Sequence, residues 1–307
     1  MFWKVKIRWQ WIVQLLKLAE TFMPQLPFRK LLIGKLSWKR LVRSLLFIYT
    51  FFALYVYFRA DSLIFLPQPA SYQDTKDILK LPVSETEKIS AIYLPNPQSA
   101  YTLLFIHGNA EDLGDVRPLL DRFHDWGLSV FAYDYRGYGT SDGNPSEHNA
   151  YQDADAAYIY MTQKLKIPPK QIIVYGRSLG GGSATELANR HSVGGLILES
   201  TFTSAFRVVV PFPILPFDKF SNLDKVRKVR CPVLVMHGRA DQTIPIKHSQ
   251  TLYEVASEPK MSLWVEAAGH NDFTEVAGKR LQQTLISFQQ LIDTHKWWFK
   301  QFRLERQ

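Results

Sequence analysis

Ile172-Ile173-Val174-Tyr175-Gly176-Arg177-Ser178-Leu179-Gly180-Gly181-Gly182 is the stretch on which the fold turns. Its β-branched apolar start reads as a buried strand. The strand stops at Gly176, and after the three glycines Ser183-Ala184-Thr185-Glu186-Leu187-Ala188 reads as a helix. G-x-S-x-G alone is a glycine-rich turn. Between a strand and a helix it becomes a nucleophile elbow, a sharp, strained turn that pushes a serine hydroxyl into the open above a sheet. Gly176 and Gly180 suit it because strand and helix must pass too closely for side chains. The free N–H groups of the helix start point at the same place.

Outward from the elbow the chain alternates. Upstream, 89–94, 101–106 and 128–133 read as strands, and 113–126 and 150–165 as helices. Downstream, 195–198, 232–236 and 261–265 read as strands, and 247–255 and 278–292 as helices. Apolar strands alternating with amphipathic helices imply an α/β chain, with a mostly parallel, doubly wound sheet covered by helices on both faces.

A serine hydroxyl needs a base to attack at neutral pH, and the base needs an acid to orient it. In such a sheet these groups come from loops at the C-terminal ends of strands. The strand 232–236 runs into His237-Gly238-Arg239-Ala240-Asp241, and 261–265 runs into Glu266-Ala267-Ala268-Gly269-His270. Ser178, Asp241 and His270 then follow in the order expected of this arrangement, 63 and 29 residues apart. Glu199, at the end of the strand 195–198, is the rival acid. Two backbone N–H groups must hold the oxyanion. Leu179, just after the nucleophile, supplies one, and Asn109, in the loop after 101–106, the other. His107, His237 and the loop 134–141 read as structural turns. No phosphate loop, dinucleotide fingerprint or metal-ligand pattern occurs, so no cofactor and no metal is expected.

The N-terminal part differs from the rest. Of 37 basic and 28 acidic residues, residues 1–44 hold ten Lys or Arg against one acid, which is the whole net charge of +9. The remainder is neutral, so no nucleic-acid partner is expected; a basic stretch beside an apolar one points to anionic lipid. Trp9, Ile12, Val13, Leu16 and Ala19 recur at helical spacing, as in an interfacial helix or one packed on a domain. The run 45–58 has no charge and lies between Arg43 and Arg59. At about 21 Å as a helix it is shorter than a bilayer's apolar core of about 30 Å. The arginines can snorkel, and 41–42 can extend it. A retained anchor is favoured over a buried core helix, with the N-terminus cytoplasmic by its charge; attachment to the cytoplasmic face as a peripheral protein is the alternative. The segment 205–222 carries Pro211, Pro213 and Pro216, which exclude a regular helix, and Phe206, Phe212, Phe217 and Phe220. It reads either as a short lid with Phe212 and Phe217 toward an acyl group, or as a loop packed on the sheet edge. The single Cys231 permits no internal disulfide.

Leu103-Leu104-Phe105-Ile106-His107-Gly108-Asn109-Ala110, Asp134-Tyr135-Arg136-Gly137-Tyr138-Gly139, Gly176-Arg177-Ser178-Leu179-Gly180, His237-Gly238-Arg239-Ala240-Asp241 and Gly269-His270-Asn271-Asp272 together resemble the α/β-hydrolase superfamily. Tyr101-Thr102-Leu103-Leu104-Phe105 and Ala268-Gly269-His270-Asn271-Asp272-Phe273 are close to its small-lid, membrane-anchored branch. That branch includes depalmitoylating thioesterases and bacterial relatives labelled serine aminopeptidase-like. The depalmitoylases carry a cysteine-rich, lipidated N-terminus; this chain carries an apolar segment instead. The resemblance implies a serine hydrolase acting on an acyl ester or acyl-protein substrate, with a serine peptidase and a non-catalytic membrane scaffold as the alternatives. The expected organisation is a basic segment with its anchor (1–60, anchor about 41–58), a linker (61–84), a hydrolase domain (85–292) with its lid at 205–222, and a basic aromatic tail (293–307).

Overall fold

In the computed structural model the described residues are 37–304, with side chains to 295. The amphipathic pattern at Trp9–Ala19 lies outside them. The chain divides into two compact units, Met1–Val56 and Tyr57–Gln307.

The first described element, α1 (Trp38–Ile64), has 27 residues, about 40 Å at 1.5 Å per residue. It exceeds the uncharged run of 14 because Lys39, Arg40, Arg43, Arg59 and Asp61 continue the helix on both sides. Its most apolar stretch has a mean hydropathy of 1.7 with none of it buried, so α1 is long and apolar enough to cross a bilayer.

Eight strands form one sheet in the order β1-β2-β4-β3-β5-β6-β7-β8. They are β1 (Ile78–Pro82), β2 (Lys88–Leu94), β3 (Thr102–Ile106), β4 (Ser129–Tyr133), β5 (Ile172–Arg177), β6 (Gly195–Glu199), β7 (Val233–Gly238) and β8 (Lys260–Val265). β2 is antiparallel to both β1 and β4, and all other pairs are parallel. This is the mostly parallel, helix-covered sheet of the α/β-hydrolase fold. Successive residues of β5 point to opposite faces and are buried on both: Ile172 and Val174 join the core on one side, Ile173 and Tyr175 the core on the other. That two-sided burial is why the strand reads as a continuous apolar run.

Two expectations are corrected. The stretch 61–84 is not a free linker. It carries β1, an edge strand ending in Pro82 where a missing N–H costs no ladder bond, and it buries Phe65 among core aromatics. The second correction concerns the chain's end: the last helix, α9 (Lys279–Leu304), runs through the boundary set at 293. The helix after β4, α3 (Glu147–Ile159), starts three residues before the range read as a helix, 150–165, and passes into a π turn at Tyr160–Lys164 inside it.

Candidate active site

Parallel register aligns the strand ends. Ile106 of β3 stands beside Gly176 of β5, Arg177 beside Glu199 of β6, and Gly238 of β7 beside Val265 of β8. The loops that follow therefore emerge at one end of the sheet. Ser178 adopts φ +52°, a left-handed conformation that a serine holds only when its surroundings impose it. Its N–H donates to the Glu199 carbonyl at 2.8 Å, and Thr201 Oγ1 donates to the Ser178 carbonyl at 2.7 Å. Past the turn runs α4 (Gly180–Arg190). A Cβ on Gly180 would lie 2.1 Å from the Ile106 carbonyl oxygen, and one on Gly176 would lie 2.6 Å from Ala184 Cβ and from the Gly180 carbonyl. Only hydrogen at both positions lets β3, β5 and α4 converge under the serine.

His270 Nε2 lies 3.0 Å from Ser178 Oγ, and its Nδ1 lies 2.7 Å from Asp241 Oδ2. A carboxylate only accepts, so Nδ1 carries the proton and Nε2 is left to receive one from the serine. Asp241 follows β7 and its other oxygen, Oδ1, accepts the N–H groups of Thr243 and Ile244, both at 2.8 Å. Burial works against the charge on Asp241, but hydrogen bonds from His237, His270 and the Ile244 amide hold its carboxyl well below the ordinary carboxylate range.

His237, expected to be a turn residue, is fully buried with Nε2 3.1 Å from Asp241 Oδ2 and 2.8 Å from the Ile244 carbonyl. Both neighbours accept, so Nε2 carries its proton and braces the acid. Its Nδ1 lies 2.7 Å from Ser249 Oγ. The only sequence signal was the four-residue spacing to Asp241 across a glycine turn.

Glu199 faces elsewhere. It accepts the Tyr175 hydroxyl in a short hydrogen bond and lies 3.5 Å from Arg177 Nε, and burial pushes its carboxyl up against the pull of Arg177. Arg177 also pairs with Glu111 at 3.3 Å, and Glu111 accepts the Gly108 N–H at 3.3 Å. The elbow and the loop after β3 are thus tied together.

Leu179 stands at the start of α4 with no side-chain cap. Asn109 lies in the loop 107–112, which ends where Asp112 caps helix α2 (Leu113–Asp125). Its side chain is engaged with residues 64–66 and Tyr138, and Ala110 beside it holds φ +57°.

In the segment 205–222, a short helix α5 (Ala205–Val209) leads into an irregular stretch. Phe212 is 60% exposed. Phe217 is half-buried, edge-on to Phe206 and Tyr57. Phe220 is buried against Gly182 of α4, where a Cβ would come within 2.3 Å of its ring. A cleft of about 730 Å³ lies between this segment and helix α7 (Lys247–Val255), lined by Val208, Pro211, Leu223, Arg207 and His248. Neither Phe212 nor Phe217 lines it. Among the described residues no group of His, Cys, Asp and Glu is arranged to hold a metal ion.

A family model described as serine aminopeptidase, S33, matches residues 97–217. The esterase Pf2001 of Pyrococcus furiosus superposes with a TM-score of 0.62 at 19% identity, covering 74% of this chain and all of that one. An esterase domain from a Rhodothermus marinus protein superposes with a TM-score of 0.55 at 19% identity, covering 70% of this chain and 98% of that one. Both likenesses show the fold. Alpha/beta hydrolase domain-containing protein 17B of Xenopus tropicalis is 42% identical over 194 residues, 61% of this chain; the chain spans 66% of that relative's length, just under two thirds. The human protein of the same name is 38% identical over 218 residues, 68% of this chain and 74% of the relative. With that much identity over that much of the human protein, on an α/β-hydrolase sheet, the chain belongs to the α/β-hydrolases, in the family of alpha/beta hydrolase domain-containing protein 17.

Proposed function

We propose that the protein is a membrane-bound serine hydrolase that cleaves acyl esters or thioesters through an acyl-serine intermediate. The observation that carries this is the hydrogen-bonded chain from Ser178 through His270 to Asp241, with the serine held at φ +52°. Ser178 Oγ attacks the acyl carbonyl carbon as its proton passes to His270 Nε2. The Leu179 and Asn109 amides receive the oxyanion. As the tetrahedral intermediate collapses, the bond to the leaving oxygen or sulfur breaks and His270 Nε2 returns the proton to that atom. Water then attacks the acyl-serine, giving a proton to His270, which hands it to Ser178 Oγ as the acid departs. Asp241 stays ionised throughout and stabilises the imidazolium.

The apolar segment 205–222, exposed at Val209, Phe212 and Ile214, and the apolar helix α1 favour acyl chains as the substrate class, whether on a small alcohol, a thiol or a protein. Residues 1–43 lie on the cytoplasmic side, α1 crosses, and the hydrolase domain faces the opposite side, because positive flanks stay cytoplasmic.

One experiment tests chemistry and topology together. A membrane-impermeant fluorophosphonate is applied to intact right-side-out cells or spheroplasts expressing the chain, then to lysed ones, with Ser178→Ala as control. Labelling of the wild type in both, and of the control in neither, is expected. Labelling only after lysis keeps the nucleophile and overturns the topology. Absence of labelling in both, with the protein folded, favours a non-catalytic scaffold. With the purified chain, faster turnover of aminoacyl amides than of acyl esters favours a peptidase.

A further inference from the structure

The loop that carries Asn109 is fastened to the end of α1. The carbonyl of Ile64, the last residue of that helix, has no helical partner and accepts Asn109 Nδ2 at 2.6 Å. Two residues on, the Leu66 N–H donates to Asn109 Oδ1 and to Tyr138 Oη, both at 3.0 Å. Tyr138 Oη donates in turn to Asn109 Oδ1 at 2.6 Å, and the Ala110 N–H joins the same oxygen at 3.0 Å. One carboxamide, 45 residues beyond Ile64 in sequence, thus closes the C-terminus of α1 with both of its ends engaged. Tyr138 is buried, and its burial raises the phenol pKa, so its O–H remains a donor.

Phe65, between the two anchored backbone groups, is buried among the rings of Tyr135, Tyr138 and Phe220, with centroids 5.9–6.4 Å away. Tyr135 donates to the His107 carbonyl at 3.0 Å, at the root of the same loop. Residues 64–66 therefore touch the loop 107–110 by hydrogen bonds and its support by packing. With its side chain fixed at both ends, Asn109 has its Cα, and with it the adjoining N–H, held against residues 64–66.

We propose that Asn109, through its side chain, and Tyr138 are positioning residues that hold the Asn109 amide on the oxyanion, and that Ile64–Leu66 make the end of α1 a regulator of that amide. This rests on the Asn109 N–H being an oxyanion donor. A displacement of the helix end must break these bonds or turn the amide, and either weakens binding of the transition state without changing the nucleophile.

The test uses the full chain in phosphatidylcholine vesicles, with p-nitrophenyl butyrate as substrate and an alkyl trifluoromethyl ketone as oxyanion-forming inhibitor. Tyr138→Phe and Asn109→Ala should each lower kcat roughly ten-fold or more, with KM within about two-fold, and raise the inhibitor's Ki by the same factor. The double variant should be no worse than Asn109→Ala, since the two act as one unit. Phe65→Leu keeps an apolar side chain and leaves the loop's own residues untouched; it should lower kcat and raise Ki several-fold. Unchanged kcat and Ki in Tyr138→Phe and Phe65→Leu, with the melting temperature retained, overturn the proposal. Turnover surviving Ser178→Ala would instead overturn the assignment of the site itself.

Discussion

β5 has two neighbours, and the loops leaving them are built in opposite ways. The loop after β3, residues 107–112, is short and tied down. Glu111 takes the Gly108 N–H and pairs with Arg177, the Asn109 side chain is clamped to residues 64–66, and Asp112 caps α2. The long connection after β6 is tied across its base, with Arg207 Nη1 donating to the Val210 and Phe212 carbonyls within it. Ala205 N–H donates to the Lys219 carbonyl at 2.8 Å, Ser204 Oγ to Asp218 at 2.8 Å, and Phe220 is sunk in the core. Between those ties, Val209 is 83% exposed and Phe212 and Ile214 are also exposed. The first loop suits a fixed charge, because preorganised donors stabilise an oxyanion without rearranging. The second suits an apolar group that changes from one substrate to the next, because apolar contact has no direction.

The comparison can be broken at its fixed side first. Asp241→Asn should lower kcat by roughly 10²- to 10⁴-fold, because the amide no longer holds the Nδ1–H tautomer of His270. Glu199→Gln should cost far less turnover and act mainly on stability, since Glu199 is bound to Tyr175 and Arg177. A larger loss of kcat from Glu199→Gln would assign the acid to Glu199.

The apolar side should respond more weakly and selectively. Phe212→Ser combined with Phe217→Ser should reduce turnover of long-chain acyl esters by roughly ten-fold and of acetyl esters by less than about two-fold, since each buried CH₂ is worth about 0.8 kcal/mol. Equal losses on both would remove the distinction between the two loops.

The smallest effect concerns pH. The folded Asp241 carboxyl titrates below its unfolded value of about 3.9. Its contribution to stability is therefore present above about pH 4 and lost as pH falls through the lowered folded value. The wild type should melt roughly a few degrees above Asp241→Asn at pH 7, and acidification below about pH 4 should close that gap. A gap that widens on acidification would contradict the hydrogen-bonded, ionised carboxyl.

Much of the fold is legible because its signals are local. A buried parallel strand must be apolar on both faces, so β3, β5, β6 and β7 stand out as short apolar runs ended by glycine or polar residues. Strain at Ser178 demands glycine close by, and Gly176 and Gly180 are written beside it. By contrast β1 escapes notice: five residues of Ile78-Leu79-Lys80-Leu81-Pro82 at a sheet edge need little apolar character and tolerate a proline.

By itself the sequence determined the α/β class, the elbow at Ser178, the chain order of Ser178, Asp241 and His270, and an apolar helix after a basic stretch. Each of these follows from neighbours within a few residues or from a rule of strand order. Only the tertiary structure decided which side chains meet. It turned Glu199 toward Tyr175 and Arg177, set His237 against Asp241, drew Phe65 into the core and spent the Asn109 carboxamide on the end of α1. Those pairings join residues 4 to 155 apart, by ring packing at Phe65 and elsewhere through polar groups, with partners fixed by three-dimensional proximity and, for the polar ones, the cost of leaving a hydrogen bond unmade, and neither quantity has a period or a spacing along the chain.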